Sequence, residues 1–130
     1  MRLKLTTFMA IALAFSSCGG TDEFKIDSLG VTVGADENRE YSYTDKKAGY
    51  WYGRTHAEAA DWYSGWNMAK KRILADYTIN IDGKPLERSE AECTVYPDRL
   101  VRKWDNAVET FRMLDSLPII HIGIETDGAE

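Results

Sequence analysis

Tyr41, Tyr43, Tyr50, Trp51, Tyr52, Trp62, Tyr63 and Trp66 crowd into one short stretch of a 130-residue chain. Aromatic rings stack on the C–H faces of sugars, and the nearby Arg54, Asp61 and Asn67 can bond sugar hydroxyls, so this stretch suits a carbohydrate platform. Tyr50, Trp51, Tyr52, Trp62 and Trp66 are its candidate contacts. The competing reading gives the same rings to the core of a small β domain that is short of Leu and Phe. Glycoside hydrolysis needs two carboxylates about 5 to 10 Å apart. Asp61, Asp98, Asp105, Glu109 and Asp115 are available, but no spacing fixes a pair, and they read as solvated surface charge. His56 and His121 have no metal-ligand spacing, and there is no Gly-rich phosphate loop, serine elbow or zinc pattern. Cys93, in Glu92-Cys93-Thr94-Val95-Tyr96, reads as a buried strand thiol without a neighbouring base. No catalytic residue, metal or cofactor is assigned.

Cys18 is the other residue with chemistry in prospect. Arg2 and Lys4 precede an apolar run, Phe8 to Phe15, that is too short to span a bilayer, and Ser16-Ser17-Cys18-Gly19-Gly20 follows it. The pattern resembles a bacterial lipoprotein signal, with an ordinary secretory signal as the alternative. The resemblance implies removal of residues 1–17, acylation of Cys18 and anchoring in the bacterial cell envelope. Each buried methylene of an acyl chain contributes about 0.8 kcal/mol, so several chains hold a small domain on a membrane. Residues 18–24 read as a polar tether. Asp22-Glu23 within it is similar to the acidic export signals of surface lipoproteins, which leaves the outer-membrane, periplasmic and surface faces all open. The whole chain carries a net charge of −5, and losing Arg2 and Lys4 makes the remainder more acidic. Nucleic acid is therefore excluded as a partner, because phosphate binding needs clustered Lys and Arg.

The elements that would position these residues are short strands. Val31–Val33, Tyr41–Tyr43, Tyr50–Tyr52, Cys93–Tyr96, Leu100–Trp104, Glu109–Leu114 and Ile119–Ile124 recur between turn signals, the later ones at roughly ten-residue spacing. Asp76 to Ile81 alternates most cleanly, with Tyr77, Ile79 and Ile81 on one face and Asp76, Thr78 and Asn80 on the other. Asp82-Gly83 then marks a turn, and Pro85 stops the strand from continuing. Thr55-His56-Ala57-Glu58 matches a capping box and predicts one short helix near 56–63. Trp66 to Leu74 suits helix or strand equally. The expected fold is mainly β, an antiparallel β-sandwich over residues 25–130.

Ile119-Ile120-His121-Ile122-Gly123-Ile124 is apolar on both faces, as an interior strand is, yet the chain stops shortly after the turn signal Thr126-Asp127-Gly128. The favoured expectation is a sandwich truncated at its C-terminus; the alternative is pairing with earlier strands and a frayed tail. Three runs, Asp76 to Leu86, Val95 to Arg102 and Glu109 to Asp115, give residues 72–125 a resemblance to the N-terminal β-sandwich of bacterial (α/α)-barrel glycoside hydrolases. The resemblance implies a sugar-processing context and a missing catalytic domain, and it transfers no catalytic residue. The leading expectation is thus an exported, lipid-anchored accessory domain of a polysaccharide-degrading enzyme. The alternatives are a small glycan-binding lipoprotein and a structural envelope lipoprotein.

Overall fold

The computed structural model describes residues 25–127. The expected signal peptide, residues 1–17, and the whole of the expected tether, residues 18–24 with Cys18, lie outside them. After a 3₁₀ turn at Ile26–Leu29, eleven strands follow: β1 Val31–Val33, β2 Glu40–Thr44, β3 Tyr50–Arg54, β4 Gly65–Met68, β5 Lys71–Leu74, β6 Asn80–Ile81, β7 Lys84–Pro85, β8 Glu92–Val95, β9 Leu100–Lys103, β10 Ala107–Met113 and β11 Ile120–Thr126. They form antiparallel sheets of order β1-β8-β9-β10-β11 and β2-β3-β4-β5, with β6 and β7 as a separate small hairpin. The protein is mainly β, and its two larger sheets make a β-sandwich.

Alternation along the strands builds the interior. Tyr41, Tyr43 and Trp51 from one sheet meet Cys93, Leu100, Phe111 and Met113 from the other. Phe111 is the centre of an aromatic stack, 4.9 Å from Trp51 and 6.2 Å from the nearly parallel ring of Tyr77. Edge and offset packing of this kind adds about 0.5–1.5 kcal/mol per pair to the burial itself. The polar tips are satisfied as well: Trp51 Nε1 donates to Tyr41 Oη at 3.1 Å, and Tyr43 Oη donates to the Tyr96 carbonyl at 2.8 Å.

One ion pair lies fully inside. Arg102 and Glu109 face each other across the β9–β10 hairpin, 2.9 Å apart and almost completely buried. Arg102 also donates to the carbonyls of Thr55 and Arg54, both at 2.9 Å, where the chain leaves β3 of the opposite sheet. The second carboxylate oxygen of Glu109 accepts from the Tyr77 hydroxyl.

Several local expectations change. Residues 56–63 form bends and turns, not a helix. The capping box fails because Thr55 is already engaged: its N–H donates to the Arg39 carbonyl, its Oγ1 accepts from Arg39 N–H, and its carbonyl holds Arg102. Only Asn80–Ile81 of the expected 76–81 strand is laddered. From Tyr77 onward the alternation holds, with Thr78 and Asn80 exposed and Tyr77, Ile79 and Ile81 partly buried, but Asp76, expected on the exposed face, is partly buried because Arg88 holds its carboxylate. Trp66 to Leu74 is a hairpin, β4–β5, turning through Ala69 and Lys70, which both have positive φ. The Asp82-Gly83 turn is present, both residues having positive φ. β11 is an edge strand among the described residues, with Ile120 and Ile122 packed on the core while Ile119 and Ile124 remain exposed.

Removing one member of a buried ion pair leaves an uncompensated charge, at a cost of about 3–5 kcal/mol. Arg102→Met and Glu109→Leu are each expected to lose stability on that scale in urea denaturation. The double variant should lose clearly less than the sum, because no charge is then left unpaired. Additive losses would contradict the coupling.

Candidate functional site

The residues of β3 divide by parity. Trp51 and Gly53 face the core, so Tyr50, Tyr52 and Arg54 face outward on the free side of the four-stranded sheet. Antiparallel register sets Tyr50 opposite Asn67 and Tyr52 opposite Gly65. The loop from Thr55 to Ser64 then folds back over this face, and Asp61 to Ser64 closes a turn with a 3.1 Å hydrogen bond. That turn presents Trp62, 82% exposed, and Tyr63 beside it. Tyr63 packs edge-on against both neighbours, 5.5 Å from Trp62 and 4.9 Å from Tyr52. Tyr52, Tyr63 and Trp62 are therefore a continuous aromatic ridge.

The ridge is fixed from beneath. Asn67 Nδ2 donates to the Tyr63 carbonyl at 2.8 Å, and Arg72 reaches the Trp62 carbonyl at 3.2 Å. Arg54 pairs with Asp61 at 3.2 Å and lies 3.8 Å from Glu40, leaving a band of charge along the ridge. Glu40, and then burial and Tyr63, push the Tyr52 hydroxyl above its ordinary pKa. Gly65 lets the turn enter β4, because a Cβ there would lie 2.1 Å from the Leu74 carbonyl. With φ at +86° the position also favours glycine on backbone grounds.

Of the five expected sugar contacts, the structure brings Tyr52 and Trp62 together and puts Tyr50 on the same face, partly buried. Trp51 is only 1% exposed and is a core residue. Trp66 faces Trp51 across the ladder and packs inward, so it too is removed from the platform. Asn67 positions the turn rather than offering its amide to a ligand, because that amide is bonded to Tyr63 and Gly65. Tyr63 is the addition, and only the course of the loop reveals its place between Tyr52 and Trp62.

A cleft of about 420 Å³ opens beside the β6–β7 hairpin. His56, Tyr77, Arg88, Trp104 and Glu109 line it. Three of its polar side chains, His56, Arg88 and Trp104, are bonded within the protein. His56 has a backbone carbonyl at each ring nitrogen, Glu37 at 2.7 Å and Ala91 at 3.1 Å. Trp104 Nε1 donates to the Glu87 carbonyl at 2.8 Å, and Arg88 clamps Asp76 with two bonds and the Tyr77 carbonyl with a third. Sequence reasoning missed this cleft. The one available signal was the equal distance of Arg102 and Glu109 from the Asp105-Asn106 turn, which makes them a cross-strand pair.

Among the described residues, no group of His, Cys, Asp and Glu is arranged to hold a metal ion. Burial pushes the Cys93 thiol up to about 11, which keeps it protonated at neutral pH. Comparison with protein families, curated proteins and solved structures returned no match.

Burial raises the pKa of Asp76, but hydrogen bonds from Arg88 and from the Ala59 and Tyr77 backbone outweigh it and hold the carboxyl below its ordinary value. A depressed folded-state pKa gives stability above the unfolded value of about 3.9, and that stability is lost as pH falls through the lower folded value. Asp76→Asn is therefore expected to weaken the domain at neutral pH and to make its loss of stability below about pH 4 shallower. Urea midpoints across that range check this; parallel pH profiles for the two proteins would refute it.

Proposed function

We propose that the protein is an exported, lipid-anchored module of the bacterial cell envelope that holds glycans on the outer face of its four-stranded sheet. The observation that carries this reading is Trp62, a large apolar ring left 82% exposed on a turn held by Arg72, Asn67 and Arg54. Exposing such a ring sacrifices about 1.5–3 kcal/mol of burial, which a ligand that covers it returns. A ring edge-on to its neighbour, with charged groups alongside, suits a sugar, whose C–H face takes the ring and whose hydroxyls take the charges. In a glycoside hydrolase of the kind that residues 72–125 resemble, this face would keep the polymer beside a catalytic barrel.

Titration with soluble plant and bacterial polysaccharides tests the reading. Trp62→Ala is expected to weaken binding at least about tenfold, equivalent to about 1.4 kcal/mol, while Trp104→Phe in the cleft leaves it unchanged. Absence of binding to any glycan, or equal binding by Trp62→Ala, would overturn it. The anchor has its own check: a fatty-acid analogue should label the wild-type chain and not Cys18→Ser, which should also leave the membrane fraction.

A further inference from the structure

The free N–H and C=O groups of an edge strand recruit another strand unless the edge is short, charged, bulged or interrupted by proline. Most edges of this sandwich follow that rule. β1 has 3 residues, and β5 carries Lys71 and Arg72. β11 is the least protected: it runs for 7 residues, Ile-His-Ile-Gly-Ile-Glu-Thr, with the single carboxylate of Glu125 and without proline, lysine or a break in register. Among the described residues nothing pairs with its outer side.

The direction of its hydrogen bonds is fixed. Leu114 N–H donates to Ile119 and Asp127 N–H to Asn106, so the odd-numbered residues of β11 bond to β10. Bonded and non-bonded pairs alternate in an antiparallel ladder, so the backbone groups of Ile120, Ile122, Ile124 and Thr126 point off the edge. Any partner strand has to meet those four.

We propose that the partner is a second copy of the chain, paired β11 against β11 about a twofold axis at Gly123. Antiparallel self-pairing must set even residues against even residues, and the register centred on Gly123 is the one that uses the whole strand. Ile122 then faces Ile124 of the partner subunit and Ile120 faces Thr126 of the partner subunit, with roughly eight new backbone bonds. Ile124, 39% exposed although it lies on the core side of the sheet, gains an apolar neighbour. On the other face His121 comes opposite Glu125 of the partner subunit, twice by symmetry. These are non-hydrogen-bonded positions, where side chains approach most closely and opposite polarity is favourable. Gly123 keeps the face bare at the axis, so the two pairs flank it unobstructed. The monomer does not require that glycine: its φ is not positive, and an added Cβ would meet nothing nearer than His121 Cε1 at 3.4 Å. The product is a continuous ten-stranded sheet that leaves both aromatic ridges free.

A cysteine at the axis reads this register directly. Non-bonded pairs bring Cα atoms to about 4.5 Å, within the range of a disulfide, whereas two cysteines at position 125 would sit roughly 13 Å apart along the strands. Full chains of wild type, Gly123→Cys and Glu125→Cys are made in the exporting host, mildly oxidised and run on a non-reducing gel. Gly123→Cys is expected to cross-link to a dimer well above both others. Adding Glu125→Lys to Gly123→Cys should slow the linkage severalfold, and adding His121→Glu as well should restore it. Linkage of Gly123→Cys no greater than that of wild type, linkage equal to that of Glu125→Cys, or indifference to the charge changes would each overturn the proposal. Pairing of the edge with a different protein or with another segment of the chain would register as the first of these outcomes.

Discussion

The guanidinium of Arg102 ties the β9–β10 hairpin of one sheet to the end of β3 in the other through charged hydrogen bonds. It comes from β9, neutralises Glu109 on β10, and caps the two carbonyls at which β3 of the opposite sheet ends. Glu109 in turn holds the hydroxyl of Tyr77, whose ring lies against Phe111. Apolar packing alone tolerates sliding of one sheet over another, whereas a five-donor fork with fixed acceptors admits one relative placement. Because Thr55 is one of those acceptors, the loop that carries the aromatic ridge starts from a clamped point.

The cleft and the ridge use their polar groups differently. Around the cleft, His56, Arg88 and Trp104 are all bonded to the protein itself, and their bonds fix the segments that flank the β6–β7 hairpin. On the outer sheet face the polar groups instead hold backbone and leave rings uncovered. A binding surface built on a fixed turn loses little conformational freedom when a ligand arrives, so more of each contact appears as affinity.

Most of the strands were legible because short alternating runs between turn residues have few other interpretations. The failures are equally physical. Tyr50-Trp51-Tyr52 already contains the answer for Trp51, since a strand cannot turn three consecutive rings to one side. Trp66 could not be placed in the same way, because Trp66 to Leu74 reads equally well as helix and as strand until the tertiary fold selects a hairpin. Thr55 has the composition of a helix cap, but distant partners, Arg39 and Arg102, occupy its backbone and side chain. Asp76 and Tyr77 alternate like ladder residues, yet Arg88 binds this segment through side chain and carbonyl where a neighbouring strand would have been. Local pattern decides which residues turn inward, while long-range hydrogen bonds decide whether the backbone is in a sheet.

Cys93 lies in the middle of β8 with no exposed surface. A thiol so placed cannot exchange with glutathione or with another chain unless the sandwich first opens, and a disulfide forms no part of what holds the sheets together. Reductants and oxidants should therefore leave the melting behaviour of the folded domain untouched. Folding of such a domain needs neither an oxidant nor a disulfide-forming enzyme, so the redox potential of its surroundings does not enter into its assembly.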